Sequence, residues 1–188
     1  TIDVGRDDSD VVYCGSTTGQ VWVTTDGGAT WNPSYGLPNR WVTRVTVDPF
    51  DASIAYVSLS GYRQYGEFYA HVQRTTNYGA SWTPISGDLP DAPVNDVIVD
   101  FHNDSTLYVG TDVGVFVTKN LGTTWTPFGT GLPVTTVHDL AYHYPTGILV
   151  AGTHGRSTFK TTIECDDLTD SDGDGIGDAC DNCPLVYN

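Results

Sequence analysis

The chain has 188 residues, 8 Lys+Arg against 23 Asp+Glu, and a formal net charge of −15. So few cations cannot build the basic face that nucleic acid needs, and no apolar run approaches the roughly 20 residues that span a bilayer. With 21 Gly, 11 Tyr, 5 Trp, no Met and 16% charged residues, the composition is that of a turn-rich β protein.

Short β-rich runs recur along the first 163 residues. Strands are predicted near 1–4, 11–16, 21–25 and 30–33, then near 43–47, 54–60, 70–75 and 81–85. A third group falls near 94–99, 106–111, 115–118 and 124–128, and a fourth near 137–142, 148–153 and 157–162, which lacks a last strand. No stretch carries ten residues of apolar helical periodicity, so helices should be nearly absent. Trp31, Trp82 and Trp125 mark the repeat, 51 and 43 residues apart, each closing a phrase: Thr24-Thr-Asp-Gly-Gly-Ala-Thr-Trp31, Thr75-Thr-Asn-Tyr-Gly-Ala-Ser-Trp82 and Thr118-Lys-Asn-Leu-Gly-Thr-Thr-Trp125. Leu37-Pro38, Leu89-Pro90 and Leu132-Pro133 follow. A unit of about 43 residues with four short strands is one blade of a β-propeller. The expected fold is all-β: a partial propeller of four-stranded antiparallel blades over 1–163, about three and three-quarter blades, followed by an extended C-terminal loop segment over 164–188.

The Thr-x-Asp/Asn-x-Gly-x-Thr/Ser-Trp phrase resembles the BNR, or Asp-box, repeat of sialidases, xyloglucan-degrading hydrolases and the sortilin ectodomain. A short polar side chain accepts hydrogen bonds from turn amides, Gly takes the positive φ, and Trp covers the hairpin. Asp26 is therefore read as a turn-folding group between the third and fourth strands. A catalytic role is the competing reading, opposed by Asn77 and Asn120 at the same place, since Asn cannot be a general base. Glycosidases need two carboxyls across a cleft, and sialidases add an arginine cluster. Arg6, Arg40, Arg44, Arg63, Arg74 and Arg156 do not recur at one blade position, and no Arg-Ile-Pro signature is present. Asp48, Asp100 and Asp139 lie at or inside first strands, and no two pair as acid and base. No catalytic residue is assigned.

Blade two is longer by about eight residues, at Ser60-Gly-Tyr-Arg-Gln-Tyr-Gly-Glu-Phe-Tyr69. That loop joins second and third strands, so it opens on the face opposite the Asp-box turns. Tyr62, Arg63, Tyr65, Phe68 and Tyr69 there, with His154 and Arg156 on the corresponding hairpin of blade four, are candidate ligand-binding residues for a glycan or a protein. The competing reading has the rings fold back over the blade edge, and a glycine-rich turn explains His154 and Arg156. Five histidines without close metal spacing argue against zinc. The Gly152-Thr-His-Gly-Arg156 stretch resembles the last blade of secreted bacterial propellers. The chain is expected to be the C-terminal part of a longer polypeptide, its open blade edges met by the rest of the propeller or by another chain.

From Glu164 to Asn188 there are 8 acids and no Lys or Arg. Counting Asp170 as position 1, acids stand at Asp170, Asp172, Asp174, Asp178 and Asp181, with Gly175 at position 6 and the Ile176 carbonyl at position 7. That is the ligand spacing of an EF-hand-type calcium loop, with Asp in place of the final Glu. Followed by Asp-Ala-Cys-Asp-Asn-Cys-Pro184, the segment resembles a thrombospondin type 3 repeat. The resemblance implies a disulfide-stapled rod wound around calcium, a Cys165–Cys180 bridge, and Cys183 left for a partner beyond Asn188. Cys14, in a strand, reads as a buried thiol. Such bridges and such calcium levels belong outside the cytoplasm, so the chain is expected to be extracellular, secreted or at the cell surface. The expected role is adhesion, ligand binding or surface assembly without chemistry. The alternatives are a piece of a glycan-hydrolase propeller and a structural subunit of an extracellular assembly.

Overall fold

The computed structural model describes residues 1–62 and 70–163. Loop residues 63–69, which include Arg63, Tyr65, Phe68 and Tyr69, and the calcium motif and cysteines of 164–188 lie outside the described residues.

Four antiparallel sheets follow one another along the chain, each built in sequence order. Blade one holds β1 (Ile2–Val4), β2 (Val12–Gly15), β3 (Val21–Thr24) and β4 (Asn32–Ser34). Blade two holds β5 (Val42–Val47), β6 (Ala55–Leu59), β7 (Val72–Thr75) and β8 (Thr83–Pro84). Blade three holds β9 (Val94–Val99), β10 (Leu107–Thr111), β11 (Gly114–Thr118) and β12 (Thr126–Phe128). Among the described residues blade four has three strands, β13 (Val137–His143), β14 (Ile148–Thr153) and β15 (Thr158–Thr162), with a 3₁₀ turn at Tyr144–Thr146. The all-β, blade-by-blade organisation read from the sequence is the observed one. The fourth strands are shorter than expected because Trp31, Trp82 and Trp125 stand just before them rather than within them.

The sheets stack because central strands such as β6 and β10 are buried on both faces. Tyr13, Val21 and Val23 of blade one meet Val45, Val57 and Leu59 of blade two. Tyr56 and Val72 of blade two meet Val97, Val99 and Leu107 of blade three. Tyr108, Val115 and Val117 of blade three meet Leu140, Leu149 and Ala151 of blade four. Burying each such side chain removes about 1.5–3 kcal/mol of apolar hydration cost, and the β-branched residues that do it favour strands for the same reason. Among the first strands, β5 packs on β1 and β9, and β9 packs on β13.

Outer strands are clipped by the tryptophans. The Trp82 indole donates to Ser34 Oγ of blade one at 2.5 Å, and the Trp125 indole donates to the Ile85 carbonyl of blade two at 3.0 Å. The Trp125 backbone N–H adds a bond to Asp88 at 2.6 Å. Close approach at this clip requires glycine: a Cβ on Gly122 (φ +79°) would stand 2.0 Å from the Ile85 carbonyl oxygen. Gly36 has a similar φ of +90° with nothing within 4 Å. Gly36→Ala should therefore cost only the left-handed backbone strain, about 1–2 kcal/mol. Gly122→Ala adds a backbone clash and should cost at least about 3 kcal/mol by urea denaturation, the range of severe overpacking. Equal losses for the two variants would contradict the clip.

Candidate functional site

The first strands of blades two, three and four share a local irregularity. Pairing skips one residue between Val42 and Arg44, between Val94 and Asp96, and between Val137 and Asp139. The skipped residues are Thr43, Asn95 and His138, and such a bulge re-aims the residue that follows it. Two of the bulged side chains reach the next blade at one equivalent carbonyl. Thr43 Oγ1 donates to Val94 O at 2.6 Å, and Asn95 Nδ2 donates to Val137 O at 3.0 Å.

The re-aimed residues converge. Arg44 Nε donates to Asp96 Oδ1 at 2.6 Å, and its Nη2 donates to Asp96 Oδ2 at 2.8 Å and to Asp139 Oδ1 at 2.5 Å. One guanidinium thus ties blade two to blades three and four. Asp96 is 1% exposed, and its two oxygens also accept the backbone N–H groups of Val97 at 2.8 Å and Leu140 at 2.7 Å. Burial pushes the Asp96 carboxyl above its ordinary range, with Arg44 pulling it back. Four donors aimed at two oxygens leave no place for a carboxyl proton, so the ionised pair is the form that fits, and the same contact raises Arg44. Asp139, with its side chain 66% exposed, caps the pair at the solvent side.

Below this network a cavity of about 270 Å³ opens among the first strands, lined by Ile2, Asp3, Arg44, Thr46, Ile98 and Tyr142 among others. Arg6 lies over the Phe101 ring at 4.5 Å, joining the loops of blades one and three. Phe101 in turn lies tilted against Tyr142 and Tyr144, with ring centroids at 6.1 and 5.1 Å. Burial pushes the Tyr142 hydroxyl up to about 12. The cavity wall thus joins the guanidiniums of Arg6 and Arg44 to the rings of Phe101 and Tyr142 and to an aliphatic lining.

Asp26 is where the sequence reading placed it, in a turn. Thr24 Oγ1 and the Thr30 N–H both donate to Asp26 Oδ1 at 2.8 Å, and Thr30 Oγ1 donates to Oδ2 at 2.6 Å. Asn77 and Asn120 reproduce the arrangement, accepting from the Ser81 and Thr124 N–H groups at 3.0 Å. Their amides donate to the Ser81 and Thr124 hydroxyls at 2.9 Å. The threonine opening each phrase is buried and accepts the glycine N–H of its own turn. Hydrogen bonds from Thr30, then Thr24, pull the Asp26 carboxyl down to about 2. Asp48 and Asp100, buried at the strand ends, likewise accept turn amides, from Phe50 and His102 at 3.0 and 2.9 Å.

On the opposite loop face, Tyr62 donates its hydroxyl to Asp112 of the β10–β11 hairpin at 3.1 Å. Asp112 also accepts from Asn95 Nδ2 at 3.0 Å. Partial desolvation and that carboxylate both raise the Tyr62 hydroxyl. His154 packs edge-on against His138 at 5.4 Å, and Arg156 is exposed on the same hairpin. The structure joins Tyr62 to Asp112, while His154 is joined to His138. Cys14 departs from expectation: it is half-buried, on the side of blade one that faces away from blade two. Recurrence among the arginines alone does not reveal the Arg44–Asp96–Asp139 network. The available signal was Val42-Thr43-Arg44-Val45, Val94-Asn95-Asp96-Val97 and Val137-His138-Asp139-Leu140, which align opposite charges at one repeat position.

The BNR/Asp-box repeat pattern matches residues 22–33. No curated protein sequence matches the chain. Among solved structures, the fold is similar to an ancestral GH74 enzyme: 20% identity, 81% of this chain and 21% of that one covered, TM-score 0.64. A GH74 xyloglucanase from Xanthomonas campestris gives 17% identity, 86% and 29% coverage, and a TM-score of 0.67. YCF48 bound to D1 peptide gives 18% identity, 88% and 51% coverage, and a TM-score of 0.59. The chain therefore spans less than a third of those GH74 enzymes and about half of YCF48. At these identities the likeness establishes the fold, β-propeller blades, and the matched repeat marks the turn at residues 22–33 as an Asp-box.

Two outcomes test the site. Arg44→Gln leaves the Asp96 carboxylate buried without its partner and should cost roughly 3 kcal/mol in chemical denaturation, whereas Asp139→Asn at the solvent side should cost under about 1 kcal/mol. The Asp26 carboxyl is depressed in the fold, so its contribution is complete above its unfolded value near pH 4 and is lost as pH falls through about 2. Asp26→Asn should keep the turn, as Asn77 and Asn120 do, and flatten the stability profile between pH 5 and 2; an unchanged profile would contradict the turn assignment.

Proposed function

We propose that this chain is a non-catalytic binding module of an extracellular protein, with propeller blades that present a ligand face and a calcium-bound C-terminal segment that stiffens their attachment. What carries the reading is the state of the carboxylates. Asp96 is saturated by Arg44 and two backbone amides, and Asp26, Asp48 and Asp100 each hold a turn. A general acid or base needs a carboxyl with an open lone pair toward substrate, and these are engaged in folding the blades. The ligand face is the loop side bearing Tyr62, Arg63, Tyr65, Phe68 and Tyr69, with His154 and Arg156, and a glycan or a peptide is its ligand. That a similar propeller, YCF48, has been solved with a D1 peptide bound supports a peptide as one class.

Calcium is held by Asp170, Asp172, Asp174, Asp178, Asp181 and the Ile176 carbonyl, with Cys165–Cys180 closing the loop. The support is the spacing of hard oxygen ligands around Gly175. Without metal, five neighbouring carboxylates repel by about 1 kcal/mol per close pair even at water-like dielectric, so binding is also folding energy. Affinity on the order of 10⁻⁴–10⁻³ M suits an extracellular module. The second reading, part of a glycoside-hydrolase propeller, is favoured by the likeness to GH74 enzymes.

A glycan array together with a reducing-end release assay separates the two: binding without release is expected, and release abolished by changing an acid on the long-loop face would establish the hydrolase. For calcium, chelator should speed proteolysis within 164–188 and leave the blades intact. Cleavage at the same rate with and without chelator would contradict the metal assignment.

A further inference from the structure

The repeat supplies its own control for what folding a blade requires. Counted from the tryptophan of each phrase, Tyr35 stands where the later blades have Ser86 and Gly129. Counted back from Val42, Val94 and Val137, Trp41 stands where they have Pro93 and Thr136. After the Leu-Pro pair, Asn39 stands where they have Asp91 and Val134. Blades two and three thus fold without aromatic rings at these places. In blade one two rings occupy them and stay in solvent, Tyr35 74% and Trp41 53% exposed.

Between the β2–β3 hairpin and the β4–β5 connection of blade one lies a groove of about 410 Å³, the size of a small-molecule site. Its frame is fixed. Gly19 of the hairpin (φ +82°) sits so close to the connection that a Cβ there would stand 2.5 Å from the Pro38 carbonyl oxygen. Val21 and Leu37 belong to the core between blades one and two. Pro33, also in the lining, ends the cross-strand row Ile2–Cys14–Trp22–Pro33, which lies open in blade one with Ile2 and Trp22 exposed. No charged side chain lines the groove, in a chain of net charge −15. Ser34 is engaged, accepting the Trp82 indole and donating to the Gly79 carbonyl. The exposed side-chain amides of Gln20 and Asn39 make no hydrogen bond among the described residues.

We infer that this groove is a binding site for a neutral oligosaccharide. The inference rests on the reading of the loop side as a ligand face, since the groove opens on the side of Tyr62 and Arg40 Nη2 donates to the Tyr62 carbonyl at 2.8 Å. A sugar ring presents C–H groups on its faces and hydroxyls around its rim. The Tyr35 ring takes the first by stacking, while the Gln20 and Asn39 amides and the Thr18 hydroxyl, which both donate and accept, take the second. An acidic glycan would find no cation in the lining to offset the negative field of the chain. A peptide docks by extending a sheet edge or by seating an apolar anchor in a closed pocket. Here β3 is paired on both sides, β4 is three residues centred on Pro33, and the groove is open.

The test is an array of neutral gluco-, manno-, xylo- and galacto-oligosaccharides beside uronate and sialylated ones, probed with the 188-residue chain, and calorimetric titration of the best-bound member. Binding to neutral members alone is expected. Tyr35→Ala should weaken it about tenfold or more, the order of one lost aromatic anchor, and Tyr35→Phe should keep it. Gln20→Ala and Asn39→Ala should each weaken it severalfold. These side chains are exposed, so every variant should unfold at the urea concentration of the parent. Neutral binding lost in Tyr62→Ala but kept in Tyr35→Ala would overturn the inference and leave the binding-module reading standing. So would binding to acidic glycans alone, or only to a peptide array. Binding to no member of either array would overturn both.

Discussion

Everything in this architecture depends on how the first strands of consecutive sheets are locked together. A one-residue bulge, repeated at Thr43, Asn95 and His138, turns the following side chain toward its neighbours, and at Thr43 and Asn95 it frees the bulged side chain to bond the next blade. Because the residues so turned are Arg44, Asp96 and Asp139, the lock is ionic as well as hydrogen-bonded. The apolar rows between sheets supply most of the stacking energy. The polar lock fixes which residue faces which.

That lock has a functional cost. A carboxylate with four donors is unsuited to proton transfer, and the guanidinium that might have gripped an anionic substrate is neutralised by two aspartates. The same logic governs the Asp-box turns, where Asp26 differs from Asn77 and Asn120 only in the direction of one hydrogen bond to a hydroxyl. Polar groups that look catalytic in a list are, in place, the means by which short outer strands are held. Outside these engaged groups stand the cavity among the first strands, the loop face around Tyr62, and the open row of blade one.

Much of the fold was legible in the sequence because it is written in repeats. The three Trp phrases place the third-to-fourth-strand turns, and β-branched runs such as Val42–Val47 and Val94–Val99 place the first strands. The turn role of Asp26 followed from Asn at its equivalents. Less legible was anything that depends on contact between blades. Trp31, Trp82 and Trp125 were expected inside strands, yet they stand just before them, and the rings of Trp82 and Trp125 reach across to the preceding blade. Cys14 was expected to be buried, but its row in blade one has no covering sheet among the described residues. The ion-paired network was hidden because a bulge leaves no mark in a single strand, and because residues of opposite charge at one repeat position do not look like a motif until the blades are set side by side.

The central claim is that Asp96 is a structural anion held by Arg44 rather than a group poised for chemistry. A double-mutant cycle on Arg44→Gln and Asp96→Asn, measured by urea denaturation at neutral pH, tests it most directly. A coupling energy on the order of 2 kcal/mol or more, as found for close desolvated charge pairs, is the predicted result. Additive losses, with no coupling between the two positions, would contradict the account.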